Sequence, residues 1–211
     1  MRVIVFGAAG MLGQGVLREC LDDERVTAVL AVGSPAGVAH PKLREVRHDD
    51  LLDLTPIASE LAGYDACFSC LTSSSARMRE PEYRRVTYDS TLSVARTLAE
   101  VGPGSTFVYL SRAGADARSR TMWARVTGET ENALLALPLD VYVFRPGYVQ
   151  PTHRTGFYRL AYVVAAPFYP VLRRLFPSTV TTAAQVGRAM IAVAERGAPG
   201  RVLDAAAINA L

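Results

Sequence analysis

Short, fully apolar runs alternate along the chain with longer segments in which apolar residues recur at helical spacing. The short runs predict strands at Val3–Phe6, Val26–Val32, Leu43–Arg47, Ala66–Leu71, Phe107–Ser111 and Val141–Phe144. The helical spacing predicts helices at Met11–Leu21, Ile57–Leu61, Glu80–Val101 and Trp123–Leu137, after which Pro138 cannot continue a helix. Strands joined by helices indicate right-handed parallel crossovers. We therefore expect an α/β fold, a Rossmann-like doubly wound parallel sheet in a three-layer αβα arrangement.

The C-terminal third has a different pattern. Residues 157–176 are apolar and aromatic, and the uncharged stretch 160–172 is too short to span a bilayer, which needs about 20 residues. We interpret residues 152–182 as a small C-terminal helical substrate region, which forms an apolar lid before the last helix. The alternatives are an interface between the subunits of a homodimer and a patch that contacts a membrane surface. A helix is predicted at Ala183–Ala194 with Thr182 as its N-cap, then a short strand at Val202-Leu203. No linker divides the chain, so residues 1–211 are expected to form one domain.

Three glycines follow the first predicted strand with a spacing of three and three, at Gly7, Gly10 and Gly13. A strand that passes through such a turn into a helix is the context that dinucleotide binding requires, because the first glycine permits the turn, the second admits a pyrophosphate and the third permits close packing. Free amides at the helix start then face the phosphates. The predicted cradle consists of Gly7, Ala9, Gly10, Met11, Leu12 and Gly13. A turn with packing glycines and no ligand is the alternative.

The second predicted strand ends without the carboxylate that often binds the adenosine ribose. An acid there would repel a 2′-phosphate, so its absence favours NADP over NAD as the cofactor. Ser34 can donate to that phosphate, and Lys42 or Arg44 are candidates to reach it.

Composition excludes several classes of function. The formal net charge is +3 and the basic residues are scattered, so we expect no nucleic-acid partner. His40, His48 and His153 are not spaced as metal ligands, and no metal is expected. Cys67 and Cys70 lie three residues apart in a predicted buried strand, which indicates core packing on opposite faces. The N-terminus runs straight into a strand with no signal-like segment, and three cysteines suggest no disulfide framework, so a cytoplasmic protein is expected.

Further motifs resemble those of the extended and atypical short-chain dehydrogenase/reductases, along most of the chain. The matching stretches are the glycine turn, His48–Leu51, Asp65–Thr72, Tyr109–Ser111 and Phe144–Val149. The resemblance implies cofactor contacts from Asp50 and Leu51 (adenine), from Cys70, Leu71 and Thr72 (ribose), and from Ser111, Pro146 and Gly147 (nicotinamide). Gly15–Leu21, Met122–Val126 and Gly187–Met190 look like the small NAD(P)-binding, epimerase-like (NmrA-like) proteins related to the Tat-interacting protein.

The family's chemistry uses a tyrosine as proton donor with a lysine four residues later, one helical turn away. The resemblance places Trp123 and Thr127 at those positions. Lys42 is the only lysine in the sequence and Val38 lies four residues before it, so no register supplies the pair. Tyr148 is the best remaining proton donor. Ser111 either hydrogen-bonds a substrate carbonyl or simply ends its strand against the cofactor.

Two hypotheses follow from the intact glycine turn and the missing pair. The first is an NADP-dependent oxidoreductase acting on an unknown small apolar carbonyl or alkene with weakened acid catalysis. The second is a non-catalytic module that senses NADP(H) and acts through a protein partner.

Overall fold

A parallel sheet of seven strands forms the centre of the computed structural model, which describes residues 1–71, 78–150 and 180–211. Numbered along the chain, its strands are β1 (Arg2–Phe6), β2 (Ala28–Val32), β3 (Leu43–Val46), β4 (Ala66–Ser69), β5 (Thr106–Leu110), β6 (Asp140–Arg145) and β9 (Val202–Asp204). Their order across the sheet is β3-β2-β1-β4-β5-β6-β9, and every neighbouring pair is parallel. The chain therefore reverses its direction of winding between β1 and β4.

Helices cover both faces of this sheet and complete the predicted three layers. They are α1 (Met11–Asp22), α2 (Ala58–Leu61), α3 (Glu80–Arg84), α4 (Ser90–Val101), α5 (Met122–Leu135), α6 (Ala183–Arg196) and α7 (Ala205–Ala210). One apolar core lies between the sheet and α1, α6 and α7, and the second lies between the sheet and α2, α4 and α5. The Rossmann-like doubly wound α/β prediction is confirmed.

Three elements differ from the sequence-based expectation. The predicted helix Glu80–Val101 contains a π-helical turn at Arg85–Asp89, where the Ser90 hydroxyl donates to the Arg85 carbonyl at 3.0 Å. A second, two-stranded parallel sheet joins β7 (Tyr148–Gln150) to β8 (Val180–Thr182). Each of its strands has three residues, too few to show a period of two, and α7 is likewise a short run without a clear pattern.

The last two helices, α6 and α7, each begin with a side chain that caps the N-terminus. Thr182 accepts from the Gln185 amide at 3.0 Å, as predicted, and Asp204 accepts from the Ala207 amide at 2.9 Å to begin α7.

The apolar stretch 157–176 and Thr72 lie outside the described residues. Within the described ranges no helix is long and apolar enough to cross a membrane, and no group of three His, Cys, Asp or Glu side chains is arranged to bind a metal.

The three cysteines are buried thiols. Cys67 packs in the core beneath α4, whereas Cys70 packs in the core beneath α1, which confirms the opposite faces predicted from their spacing. Burial raises the pKa of the Cys70 thiol to about 12 and raises those of Cys20 and Cys67 well above their usual value. Such thiols stay protonated near neutral pH and do not form a redox pair.

Glycines let α1 and α6 approach closely. A Cβ on Gly15 would lie 2.4 Å from the Cβ of Ala183, and a Cβ on Gly187 would lie 2.9 Å from the Cβ of Glu19. Arg188 and Glu19 add an ion pair at 3.2 Å beside this crossing. The crossing holds α1 in place, and α1 begins at the glycine turn.

We predict that Gly15→Val destabilises the protein by ~1–3 kcal/mol, because its side chain would overlap Ala183 and push the two helices apart. Denaturant unfolding measures the loss. Gly200→Ala is the matched control, since its Cβ would lie an ordinary 3.9 Å from the Val202 carbonyl oxygen. Equal stability of both variants and the wild type would contradict the tight crossing.

Candidate functional site

The glycine turn is held by contacts between backbone atoms. Gly7 has a φ of +78°, and a Cβ there would lie 2.6 Å from the carbonyl oxygen of Cys70. A Cβ on Gly13 would lie 2.0 Å from the carbonyl oxygen of Gly7. The Gly10 amide donates to that same Gly7 oxygen at 3.0 Å. No side chain fits at Gly7 or Gly13 unless β1 and α1 separate, so the glycines there are required by the close approach of the backbone.

Within residues 1–71, 78–150 and 180–211, no anionic side chain caps the N-terminus of α1. Gly10 is the N-cap residue, no side-chain cap accepts from the first turn, and that turn contains no acidic residue. Intrahelical bonding begins with the Gln14 amide, which donates to the Gly10 carbonyl at 2.8 Å. The amides of Met11, Leu12 and Gly13 therefore remain available at the positive end of the helix dipole, which suits an anionic phosphate.

A cleft of about 290 Å³ opens at this turn. Seven predicted cofactor-binding residues line it, Gly7, Ala9, Gly10, Ser34, Leu51, Cys70 and Leu71, together with Val32, Gly33, His48, Asp49 and Val86. It lies beyond the carboxyl ends of β1 and β4, where the strand order reverses, which is the usual ligand position in open α/β sheets. A groove of similar size, about 320 Å³, runs along the outer face of α4 and contains none of these residues.

At the part of the cleft where the resemblance implies the adenine contacts, the lining residues differ from the predicted ones. Asp49 lines the cleft, whereas Asp50 accepts from the Leu52 amide at 3.1 Å. Val86, which is 38% exposed, contributes an apolar wall that the sequence did not suggest. Ser34 is exposed just after β2 and lines the cleft together with Asp49, and the Glu45 carboxylate accepts from the nearby Ala36 amide at 2.8 Å.

The two cations suggested for a 2′-phosphate have other partners. The Lys42 ammonium donates to the Asp23 carbonyl at 2.8 Å, and Arg44 pairs with Glu60 at 2.5 Å. Both belong to the β3 side of the fold and neither lines the cleft.

Ser111 follows β5 and is tied to a buried ion pair. Its hydroxyl donates to Glu131 Oε1 at 2.5 Å, and Glu131 is 1% exposed. Arg145 Nε donates to the same oxygen at 3.0 Å, and its Nη2 donates to Oε2. These hydrogen bonds raise the pKa of Arg145. The carboxylate joins the end of β5, helix α5 and the turn that begins at Arg145.

The two positions of the missing pair have other roles. Thr127 is buried, and its hydroxyl lies 3.2 Å from the Tyr83 hydroxyl of α3. Trp123 is half-buried, with the Arg112 guanidinium 5.2 Å from its ring centre. An indole N–H and a threonine hydroxyl do not titrate near neutral pH, so this pair cannot act as an acid and a base.

A smaller recess lies beyond Leu71, which also lines the cleft. About 10 Å³ of this recess is open to a water molecule, which is close to the room that one water needs. Its lining residues are Leu71, Tyr83, Thr87, Tyr109, Leu110, Ser111, Arg112 and Thr127. Among the described residues, the buried Thr87 hydroxyl has no hydrogen-bond partner. Burial raises the pKa of the Tyr109 phenol, so it keeps its proton.

The turn after β6 places the remaining predicted residues. Pro146 is buried and its carbonyl accepts from the Ala113 amide at 3.0 Å, whereas Gly147 and Tyr148 are exposed. Tyr148 begins β7 and is 38% exposed. The turn therefore lies beside the chain that follows Ser111.

Sequence reasoning missed Glu131, Tyr83 and Arg112. A signal for Glu131 was present, because it lies four residues after Thr127 and so shares its helix face. No local pattern indicates Tyr83, which reaches Thr127 across 44 positions of sequence.

No protein-family model matches the chain. The rat protein HTATIP2 is 30% identical over 149 residues, which cover 69% of this chain and 61% of that protein. The mitochondrial protein fmp52 of Emericella nidulans is 24% identical over 156 residues, or 70% of this chain and 66% of that protein. The chain thus spans somewhat less than two thirds of both curated relatives.

Solved structures share the fold. The dTDP-glucose 4,6-dehydratase DesIV of Streptomyces venezuelae, with NAD bound, has a TM-score of 0.73 at 18% identity, covering 97% of this chain and 75% of that chain. A short-chain dehydrogenase family protein of Francisella tularensis has a TM-score of 0.67 at 12% identity and covers 98% of both chains. These sequence relatives support the resemblance to the atypical, NmrA-like short-chain dehydrogenase/reductases, and the solved structures show the same Rossmann-like fold.

Proposed function

We propose that this protein binds a nicotinamide dinucleotide in the cleft and acts as an NADP-dependent oxidoreductase on an unknown small apolar carbonyl or alkene. The uncapped N-terminus of α1 carries the proposal, because it faces the cleft at the point where the strand order reverses. Gly10 leaves room for a pyrophosphate, and the amides of Met11 to Gly13 supply donors for its oxygens. Leu51, Leu71 and Val86 offer apolar surface for the adenine.

The preference for NADP rests on the end of β2. Ser34 lines the cleft there and its hydroxyl can donate to a phosphate, whereas β2 ends at Val32 without an acid. His48 also lines the cleft, and its Nε2–H donates to the Asp53 carbonyl at 2.7 Å. The family resemblance implies an adenine contact from Asp50, but Asp49 is the carboxylate that lines the cleft, and we assign that contact to Asp49. A dianionic 2′-phosphate is then recognised by hydrogen bonds, since Lys42 and Arg44 are engaged elsewhere.

The protein's own part in the reaction is to position the reactants. A bound nicotinamide supplies or accepts a hydride, and the chain orients it between the Ser111 end of β5 and the turn at Pro146 and Gly147. We assign proton donation to Tyr148, whose exposed phenol follows that turn. Because Trp123 and Thr127 stand where the resemblance places the family's tyrosine and lysine, acid catalysis is weak, and turnover is expected to be slow.

A second function is favoured by a specific observation. Trp123 and the Thr127–Tyr83 contact occupy the place of the acid–base pair. A protein that binds NADP(H) without turnover and reports its presence to a protein partner would require the cleft and not that pair.

We also propose a cytoplasmic location, in keeping with three free thiols, and leave a homodimer as a further proposal.

We predict that NADPH binds more tightly than NADH and that Ser34→Asp weakens NADPH by about tenfold, because the new carboxylate repels the 2′-phosphate. Isothermal titration calorimetry up to millimolar coenzyme measures both. Gly10→Val is expected to weaken the binding of both coenzymes, since its side chain would occupy the phosphate approach. Its φ of −71° suits any residue, but its Cβ would lie 3.1 Å from the Gly7 carbonyl oxygen, so circular dichroism must first show that the variant is folded. Gly200→Ala is the control. If NAD, NADH, NADP and NADPH all produced neither a heat of binding nor a change in melting temperature, the proposal would be refuted.

We predict that Trp123→Tyr with Thr127→Lys restores little activity, because the lysine would be buried against the Tyr83 hydroxyl. Adding Tyr83→Ala makes room, and the triple variant is expected to oxidise NADPH about 10²-fold faster with a panel of small ketones and enals than the wild type. Circular dichroism confirms that each variant is folded. No turnover by the wild type or the triple variant would argue against the oxidoreductase and favour the sensor.

A further inference from the structure

His48 follows β3 and lies beside the end of β2. The Gly33 amide donates to the Val46 carbonyl at 3.0 Å, so the ends of these two strands are held together. A Cβ on Gly33 would lie 3.9 Å from the His48 carbonyl oxygen. His48 and Ser34 both line the cleft. His48 is therefore close to the position that the proposed function assigns to the 2′-phosphate of NADP.

One hydrogen bond determines which nitrogen of the His48 ring carries the proton. Nε2 lies 2.7 Å from the Asp53 carbonyl oxygen, and a carbonyl oxygen can only accept. Nε2 is therefore the protonated nitrogen of the neutral ring, which leaves a lone pair on Nδ1. No group among the described residues bonds to Nδ1. Nδ1 is thus the nitrogen that is left for a ligand in the cleft.

The protonation state of His48 reverses what Nδ1 offers to that ligand. In the neutral ring, the lone pair cannot bond to a phosphate, whose ionised oxygens only accept. In the protonated ring both nitrogens donate, so Nε2 keeps its bond to the Asp53 carbonyl while Nδ1 gains a proton and the ring gains a positive charge. A charge-assisted hydrogen bond to a phosphate can then form. The second proton thus changes what the ring can bind without breaking the bond that holds it.

Histidine is the type of side chain that ordinarily changes its charge between pH 5 and 8, and the other ionisable residues around this cleft are of different types. They are Asp49, Asp50 and Asp53 after β3, Glu45 in β3, Cys70 after β4, and Arg47 and Arg85, which adjoin lining residues in the sequence. Burial raises the pKa of the Cys70 thiol to about 12, so it stays neutral. Hydrogen bonds from Thr55 and the charge of His48 lower the pKa of the Asp53 carboxyl, so it stays ionised. Near neutral pH, a change in coenzyme preference therefore reports on His48 or on the phosphate itself.

We propose that protonation of His48 controls the choice of coenzyme, so that the cleft increasingly prefers NADP over NAD as the pH falls below neutrality. The two coenzymes share the adenine, the riboses and the pyrophosphate, and the 2′-phosphate is the group that a protonated Nδ1 would contact. The inference rests on the proposed function, because it requires a dinucleotide in this cleft. It adds a regulation of that site, in which acidification favours NADP(H).

Calorimetric titrations with NADPH and NADH at about pH 8 and about pH 6 test the proposal. The quantity compared is the dissociation constant of NADH divided by that of NADPH. His48→Gln is the test variant, because its amide N–H can still donate to the Asp53 carbonyl but cannot titrate. A phosphate monoester itself takes up a proton near pH 6, and the variant records that contribution alone. On acidification, we expect the ratio to rise about fivefold more in the wild type than in His48→Gln.

His40→Gln is the matched control, because His40 lies outside the cleft and its Nδ1 accepts from the Lys42 amide at 3.2 Å. This variant should keep the pH dependence of the wild type. An equal pH dependence of the ratio in the wild type and in folded His48→Gln would overturn the proposal and leave dinucleotide binding intact. If neither coenzyme bound to the wild type at either pH, the proposed function would fail, and this inference with it.

The wild type alone decides if His48→Gln does not fold. Protonation of the 2′-phosphate weakens its attraction to the site and so lowers the ratio on acidification. A ratio that rises in the wild type supports the proposal, and a ratio that falls or stays constant overturns it.

Discussion

The approach of the Gly7 carbonyl oxygen to Gly13 is the constraint on which the rest of the site depends. A side chain at Gly13 would meet that oxygen at 2.0 Å, so strand β1 and helix α1 are separated by little more than backbone. The same turn leaves the first amides of α1 without side-chain partners among the described residues, and its N-cap residue Gly10 lines the cleft. One turn further along, α1 is held against α6 through the crossing of Gly15 with Ala183. The proposed phosphate cradle is therefore built by packing, before any ligand arrives.

A second constraint, the buried carboxylate of Glu131, organises the region around the recess beyond Leu71, next to the cleft. It connects Ser111 to Arg145, and so ties the end of β5 to the turn that holds Pro146 and Gly147. Removing one partner of such a pair leaves an uncompensated buried charge, which is strongly unfavourable. Trp123 and Thr127 stand at the positions that the resemblance assigns to the acid–base pair, beside a scaffold that would support a nicotinamide. That combination explains why cofactor binding and weak acid catalysis are proposed together.

Much of the fold follows from local sequence patterns. The alternation of apolar runs and helical spacing is sufficient for the parallel order of β1 to β6, and the glycine spacing is sufficient for the turn at Gly7. The π-helical turn at Arg85–Asp89 and the pairing of β7 with β8 depend on tertiary contacts that no local pattern records. The site residues also divide into predictable and unpredictable ones. Ser111 could be predicted from its position after a strand, whereas the Tyr83–Thr127 contact joins residues 44 positions apart. Asp49 and Asp50 are adjacent, and the turn geometry decides which of them faces the cleft.

A crystal structure of the protein with NADPH tests the central claim most directly. The pyrophosphate oxygens should lie within hydrogen-bond distance of the amides of Met11, Leu12 or Gly13, with the 2′-phosphate beside Ser34 and the nicotinamide towards Ser111. Density for the dinucleotide at another surface, or a glycine turn filled by the protein's own side chains, would contradict it.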